Sequence, residues 1–276
     1  MKLTDAIKQA AHNNNTHIQS TEAAEIEKIF NKLFYAPRNV EEEVRFIKQV
    51  MTRGTDNLNR VGLHASAIIV GDKDFCVREQ VLSLLYEQLQ GENVPINLKR
   101  IFEEGNAIHE KWQRLFIRGG LGKAEDMDFS QFNKKYELSF TPDAIITING
   151  EKYIVEIKSV NTYQFKNMTK HESGTKQLRW YMRLTGIKNG IVLCEDKNTQ
   201  DFKVFVFHYD EIAEDVTNHF IERLEEIQYY KERLLTEKKA PKRHPECTTY
   251  ASKRCMKCNM RDVCFNKRKV RLNVQS

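Results

Sequence analysis

The chain has 276 residues, 40% of them hydrophobic and 30% charged, which allows a sizeable core in one domain or in one domain plus an appendage. It contains no run of about 18 apolar residues and no charged start leading into an apolar signal core, so neither membrane insertion nor export is expected and a cytoplasmic location is the default. The net charge of +6 is lopsided: residues 231–271 hold fourteen Lys or Arg against four Asp or Glu, a local +10 that leaves the rest at −4. That end is either a surface that meets phosphates or a solvated basic tail.

Residues 1–62 read as a helical N-terminal appendage. Ile26, Ile29, Phe30, Leu33 and Phe34 recur at the 3.6-residue period, and Val44, Ile47, Val50 and Met51 mark a second amphipathic helix after Pro37. Asn13-Asn14-Asn15 and Gly54-Thr55-Asp56-Asn57 read as loops.

From 63 to 236 the pattern becomes mixed α/β. Helices are predicted from Phe75 to Leu89 and from Gly105 to Phe116. Ala144 to Ile148 and Tyr153 to Val160 are β-rich and flank Asn149-Gly150, the strongest short hairpin signal. Two more β-rich runs, Gly190 to Cys194 and Phe202 to His208, bracket a polar turn. A helix from Asp210 to Leu235 follows, with Ile212, Val216, Phe220, Leu224 and Ile227 on one face. Residues 237–276 form a basic, cysteine-rich segment.

The hairpin places chemistry in register. Side chains alternate along a strand, so Ile154, Glu156 and Lys158 share a face. Charged groups on an otherwise apolar strand are costly unless used or paired. Asp143, which follows Thr141-Pro142, reaches the same place across the turn, and two carboxylates offer hard oxygen ligands for Mg²⁺ or Mn²⁺. With Lys158 they make the minimum set for holding a metal against a phosphodiester. The competing reading is an ordinary surface Glu-Lys pair beside a turn aspartate.

Two helical motifs adjoin this set. In Gly105-x3-His109 the histidine is either a third metal ligand, presented from a helix N-terminal turn, or a satisfied core residue. In Gln177-x3-Tyr181 the i, i+4 spacing puts both side chains on one helix face, where they contact a DNA backbone or form a surface pair.

Six cysteines occur: Cys76, Cys194, Cys247, Cys255, Cys258 and Cys264. The spacing Cys255-x2-Cys258-x5-Cys264 lets three thiolates converge on one metal centre, and in a reducing cytosol a metal site is expected before a disulfide framework. Free surface cysteines are the alternative. Lys253, Arg254, Lys257 and Arg261 would favour thiolates there.

Taken together, these residues resemble the RecB-like branch of the PD-(D/E)xK nuclease superfamily, over roughly Ser66 to Phe265. The order of Gly105-x3-His109, Pro142-Asp143, Glu156-Ile157-Lys158 and Gln177-x3-Tyr181 is similar to its motif series. Cys76-Val77-Arg78 stands where the iron-sulfur members, the CRISPR-associated RecB-like exonucleases and the AddB nuclease domain, carry Cys-Pro-Arg. The C-terminal triplet is similar to theirs. The resemblance implies a restriction-endonuclease-like α/β core, a central mixed sheet flanked by helices, with His109, Asp143, Glu156 and the Ile157 carbonyl binding the divalent metal. Lys158 would be the catalytic lysine, and Gln177 and Tyr181 would contact DNA. Cys76, Cys255, Cys258 and Cys264 would bind a structural [4Fe-4S] cluster.

Val77 departs from the proline of that pattern. The extra Cys247 permits a local Zn²⁺ site of Cys247, Cys255, Cys258 and Cys264 instead. The resemblance implies a metal-dependent deoxyribonuclease, an exonuclease on single-stranded or unwound DNA ends. A non-catalytic DNA-binding or assembly module of the same fold and an RNA endonuclease are the alternatives. No Walker A pattern is present, so any unwinding falls to a partner such as a helicase or another replication, recombination or repair protein.

Overall fold

The computed structural model describes residues 21–56, 63–86, 96–209 and 211–267. Asn13 to Asn15, Asn57, and the predicted helix ends at Leu89 and Asp210 lie outside them. In chain order the elements are α1 (residues 21–33), α2 (Val40–Asp56), β1 (Leu63–His64), α3 (Ala65–Ile68), α4 (Val77–Leu85), α5 (Ile96–Arg118), β2 (Gln131–Asn133), β3 (Leu138–Phe140), β4 (Ala144–Ile148) and β5 (Glu151–Val160). Then come α6 (Thr162–Asn167), α7 (Glu172–Thr185), β6 (Asn189–Asp196), β7 (Phe202–His208), α8 (Glu211–Glu237) and α9 (Arg261–Cys264).

The chain divides into two compact units. One comprises the described residues of Met1–Ile47, Arg100–Phe129 and Pro142–Asp210; the other comprises those of Lys48–Lys99, Ser130–Thr141 and Glu211–Ser276.

The first unit is built on a four-stranded sheet in the order β4-β5-β6-β7. The predicted hairpin forms β4 and β5, which pair antiparallel with Ile148 opposite Glu151. Asn149 (φ 52°) and Gly150 (φ 86°) both take left-handed backbone, the twist that a two-residue hairpin turn requires. β5 and β6 run parallel, with Glu156 beside Val192 and Lys158 beside Cys194. Parallel neighbours need a crossover, and α6 and α7 supply it. The His171 side chain caps the start of α7 by accepting the Gly174 N–H, and Gly186 ends it at φ 75°.

β6 is buried from Gly190 to Asp196, as expected of a strand covered on both faces. Cys194 sits beside Lys158; Glu195, one residue on, turns to the other face, where Lys111 and Trp112 of α5 meet it. α7 and α5 therefore serve opposite faces of this strand. Phe30 of α1, Trp112 and Phe116 of α5, and Phe202 of β7 form an aromatic cluster with ring centroids 4.9–6.0 Å apart.

Two helices differ from expectation. In α2 the inward residues are Glu43 and Phe46, each 1% exposed, while Val44, Ile47 and Met51 face outward. The buried carboxylate is held by Arg38 Nη2 at 2.6 Å and Arg118 Nε at 3.3 Å, which offsets the cost of taking its charge out of water. α2 also continues through Gly54 to Asp56, where a loop was expected; one glycine costs a helix only about 1 kcal/mol. α5 begins at Ile96, so Gly105 and His109 lie in its interior and not in its first turn.

The second unit contains a small sheet, β1-β3-β2, whose strands of two or three residues leave no periodic signal in the sequence. In it Arg223 of α8, 5% exposed, donates to the carbonyls of Ile68 and Val70 at 2.5 and 2.7 Å. Gln228 donates to the Tyr136 carbonyl at 2.9 Å, and Lys231 pairs with Glu137.

The protein is thus mixed α/β, with helices against mixed sheets and a cysteine-bearing C-terminal segment, the class expected from its sequence. No helix among the described residues is long and apolar enough to cross a membrane.

Candidate active site

Asp143 sits immediately before β4, and its backbone is fastened before its side chain is considered. Its carbonyl accepts Asp128 N–H at 2.9 Å and Gln113 Nε2 at 2.7 Å. Its carboxylate then spans two elements. Oδ2 accepts the Ile157 backbone N–H at 2.7 Å, and Oδ1 lies 3.3 Å from His109 Nδ1. His109 and Gln113 are one turn apart on α5, so one helix face addresses both ends of this aspartate.

On β5, Glu156 is 1% exposed. Its Oε1 accepts Lys158 Nζ at 2.5 Å; its Oε2 is buried with no hydrogen-bond partner among the described residues. Lys158 Nζ also donates to Gln177 Oε1 at 3.2 Å, and Gln177 Nε2 donates to the Tyr181 hydroxyl at 3.0 Å. The predicted His109, Asp143, Glu156, Lys158, Gln177 and Tyr181 are thus brought together within one unit. Ile157 is present through its backbone, and its side chain is fully buried.

The electrostatics follow from crowding two carboxylates in a dry place. Burial first, and the Asp143 charge second, push the Glu156 carboxyl up to about 8 against the pull of Lys158. Burial also pushes on Asp143, but His109, Lys158 and the Ile157 N–H outweigh it and hold that carboxyl below its usual value. For His109, burial is outweighed by Asp143, and its pKa rises. Burial likewise opposes the Lys158 ammonium, but Glu156 and Asp143 prevail and raise it. Burial and then Lys158 lower His171.

Among the described residues, no group of three His, Cys, Asp or Glu side chains stands placed to hold a metal ion. Both oxygens of Asp143 and one of Glu156 are engaged by protein donors. The donor chemistry nevertheless fits a hard divalent cation, because the unpartnered Glu156 oxygen is a buried acceptor that a cation would satisfy.

In the second unit, Cys76, Cys247, Cys255, Cys258 and Cys264 line one cavity together with Arg78, Arg243 and Arg261. Arg78 Nε lies 3.1 Å from Cys264 Sγ, and its Nη1 donates to the Pro241 carbonyl at 2.5 Å, tying the start of α4 to the C-terminal segment. Where the spacing leads to a metal site without disulfides, Cys247 and Cys255 are instead joined by one, with Cα atoms 5.8 Å apart: two of the cavity's sulfurs meet directly. Cys76, Cys258 and Cys264 remain thiols. Burial raises the Cys76 thiol and pushes that of Cys258 up to about 12. Glu79, His244, Met260 and Phe265 complete the lining, and its several cysteine sulfurs are the donor type that suits a soft-ligand metal.

Sequence reasoning missed three residues of the site in the first unit. Gln113 was legible only as the i+4 neighbour of His109. His171 and Gly174 carried no motif signal; their positions depend on how α7 approaches β5.

No protein-family model and no curated protein matches the chain. Among solved structures, it is similar to the LHK-Exo complex with dAMP, with 16% identity and a TM-score of 0.47 over 64% of this chain and 93% of that one. A second LHK-Exo structure, described as an alkaline exonuclease from Laribacter hongkongensis, gives 15% and 0.45 over the same shares. SSO0001 gives 11% and 0.41 over 81% of this chain and 96% of that one.

Proposed function

We propose that the protein is a metal-dependent nuclease acting on DNA, an exonuclease of the RecB-like branch working on single-stranded or unwound ends. The observation that carries this reading is the buried Glu156 carboxylate, one oxygen on Lys158 and the other without a partner among the described residues, beside the Asp143 charge. A structural surface pair has no reason to bury an acceptor unmet, whereas a cation site does.

Asp143 and Glu156, aided by His109 and the Ile157 backbone, would hold Mg²⁺ or Mn²⁺, which when bound polarises the scissile phosphate and lowers the pKa of a water. His109 Nδ1 and the Ile157 N–H fix the rotamer of Asp143, so its oxygens are set before substrate arrives. Lys158 brings a fixed positive charge to the face where phosphate charge builds. Gln113, by holding the Asp143 carbonyl, keeps that residue at the mouth of the hairpin.

We assign the cysteine cavity as a structural metal centre, a [4Fe-4S] cluster on Cys76, Cys255, Cys258 and Cys264, which requires the Cys247–Cys255 bond to be reduced so that Cys255 is a thiolate. The basic segment of residues 237–276 carries three of these ligands and is the phosphate-facing end of the chain. Arg78, which reaches Cys264, supports including Cys76. The zinc arrangement, with Cys247 in place of Cys76, is the competitor.

The test is cleavage of single-stranded and duplex DNA, beside matched RNA, in Mg²⁺, Mn²⁺ or EDTA, with Lys158→Ala run in parallel. Metal-dependent DNA loss that Lys158→Ala abolishes is expected. Metal-independent DNA binding without any cleavage would instead favour an assembly module.

A further inference from the structure

One stripe of α7 runs along Lys158. Gly174, Gln177 and Tyr181 lie at positions i, i+3 and i+7, so they share a helix face. A methyl group at Gly174 would stand 3.4 Å from Lys158 Cε, 3.2 Å from Val192 Cγ1 and 3.0 Å from His171 Nδ1. The one glycine of the helix therefore lets it pack closely on Val192 of β6, with the lysine stem alongside at van der Waals distance.

One turn later Gln177 reads the ammonium. An ammonium only donates, so the carbonyl end of the amide must face it, at 3.2 Å. The NH₂ end is thereby aimed at the Tyr181 hydroxyl, 3.0 Å away. Tyr181 is 4% exposed, which leaves its ring as packing and its hydroxyl as the anchor of the amide. Of the three N–H bonds of Lys158, Glu156 takes one and Gln177 another. The third is directed by the first two.

We propose that Gly174, Gln177 and Tyr181 are positioning residues that clamp the Lys158 ammonium and aim its remaining N–H at a non-bridging phosphate oxygen. This rests on the nuclease reading of Lys158, and it gives Gln177 and Tyr181 an inward task in place of the DNA contact that the family resemblance implies. Tyr181→Phe deletes only the anchoring hydroxyl, Gln177→Leu deletes the amide, and Gly174→Ala crowds His171 and Val192 and so shifts the helix that carries Gln177.

Two measurements test the clamp on variants whose circular dichroism matches wild type. In steady-state cleavage of a single-stranded oligonucleotide, Gln177→Leu and Tyr181→Phe should lower kcat by roughly tenfold or more with KM unchanged, since misplacing a reacting group costs rate more than binding. A raised KM at unchanged kcat overturns the clamp and returns both residues to DNA contact. Independently of turnover, Lys158 should be labelled several-fold faster by an amine-acylating reagent in all three variants, read by peptide mass spectrometry. Equal labelling overturns the clamp whatever the cleavage result. Faster labelling in a protein whose wild type cuts nothing preserves the clamp and overturns the nuclease reading.

Discussion

Asp143 and Ile157 are joined across the β4–β5 hairpin: Oδ2 of the first accepts the backbone N–H of the second at 2.7 Å. The carboxylate is anchored by the strand that carries Glu156 and Lys158, so its position depends on hairpin register and not on a flexible rotamer. Asp143→Asn keeps an acceptor for that N–H but loses the charge. The variant should melt within a few degrees of wild type and lose metal-dependent cleavage; retained cleavage would remove Asp143 from the proposed metal set.

The burial of Glu156 makes a pH prediction with a definite sign. Its carboxyl moves from an ordinary 4.5 up to about 8, so the folded, metal-free protein holds this proton more tightly than the unfolded chain. Stability from this group is therefore lost as pH rises through that window. Glu156→Gln cannot titrate and should show a flatter dependence of Tm on pH, with the higher Tm of the two near pH 8 in EDTA. Parallel curves for the two proteins would refute the assignment.

Glu195 holds α5 to the sheet. It is 1% exposed and accepts Lys111 Nζ and Trp112 Nε1, each at 2.6 Å. Glu195→Ala leaves the indole N–H buried without an acceptor, at a cost of about 2–3 kcal/mol. Urea unfolding should show it as a lower midpoint at unchanged slope. Glu195→Gln, which keeps an acceptor, should lose less.

The cysteine cavity discriminates its two candidate metals by mutation. If the centre is [4Fe-4S], anaerobically purified protein carries iron and sulfide at about four each. Cys76→Ala should then lose both, while Cys247→Ala keeps them. One zinc per chain, retained in Cys76→Ala and lost in Cys247→Ala, would establish the local site instead.

The hairpin was legible because its signals are local: Asn149-Gly150 supplies left-handed backbone, and strand alternation alone puts Glu156 and Lys158 on one face. His109 was legible as a candidate, but its place inside α5 was not, because nothing local announces that the helix starts at Ile96. The facing of α2 was misread for a different reason. Val44, Ile47 and Met51 make the better apolar stripe, yet Glu43 goes inward because Arg38 and Arg118 meet it, and Arg118 is 75 residues away. Gln177 and Tyr181 could be placed on a helix face; which way that face turned depends on how α7 packs against β5 and β6, a tertiary contact without a sequence signature.

β5 pairs with β4 on one side and β6 on the other, so Glu156 and Lys158 ride on an internal strand. Edge elements and terminal helices can fray while such a strand stays closed; it opens only when the whole sheet gives way. Its amides should be among the slowest to exchange with deuterated water. On the proposed reading, Glu156 and Lys158 keep their places until the sheet opens, whereas fraying of the edge strand β4 displaces Asp143 and by itself leaves the site inert.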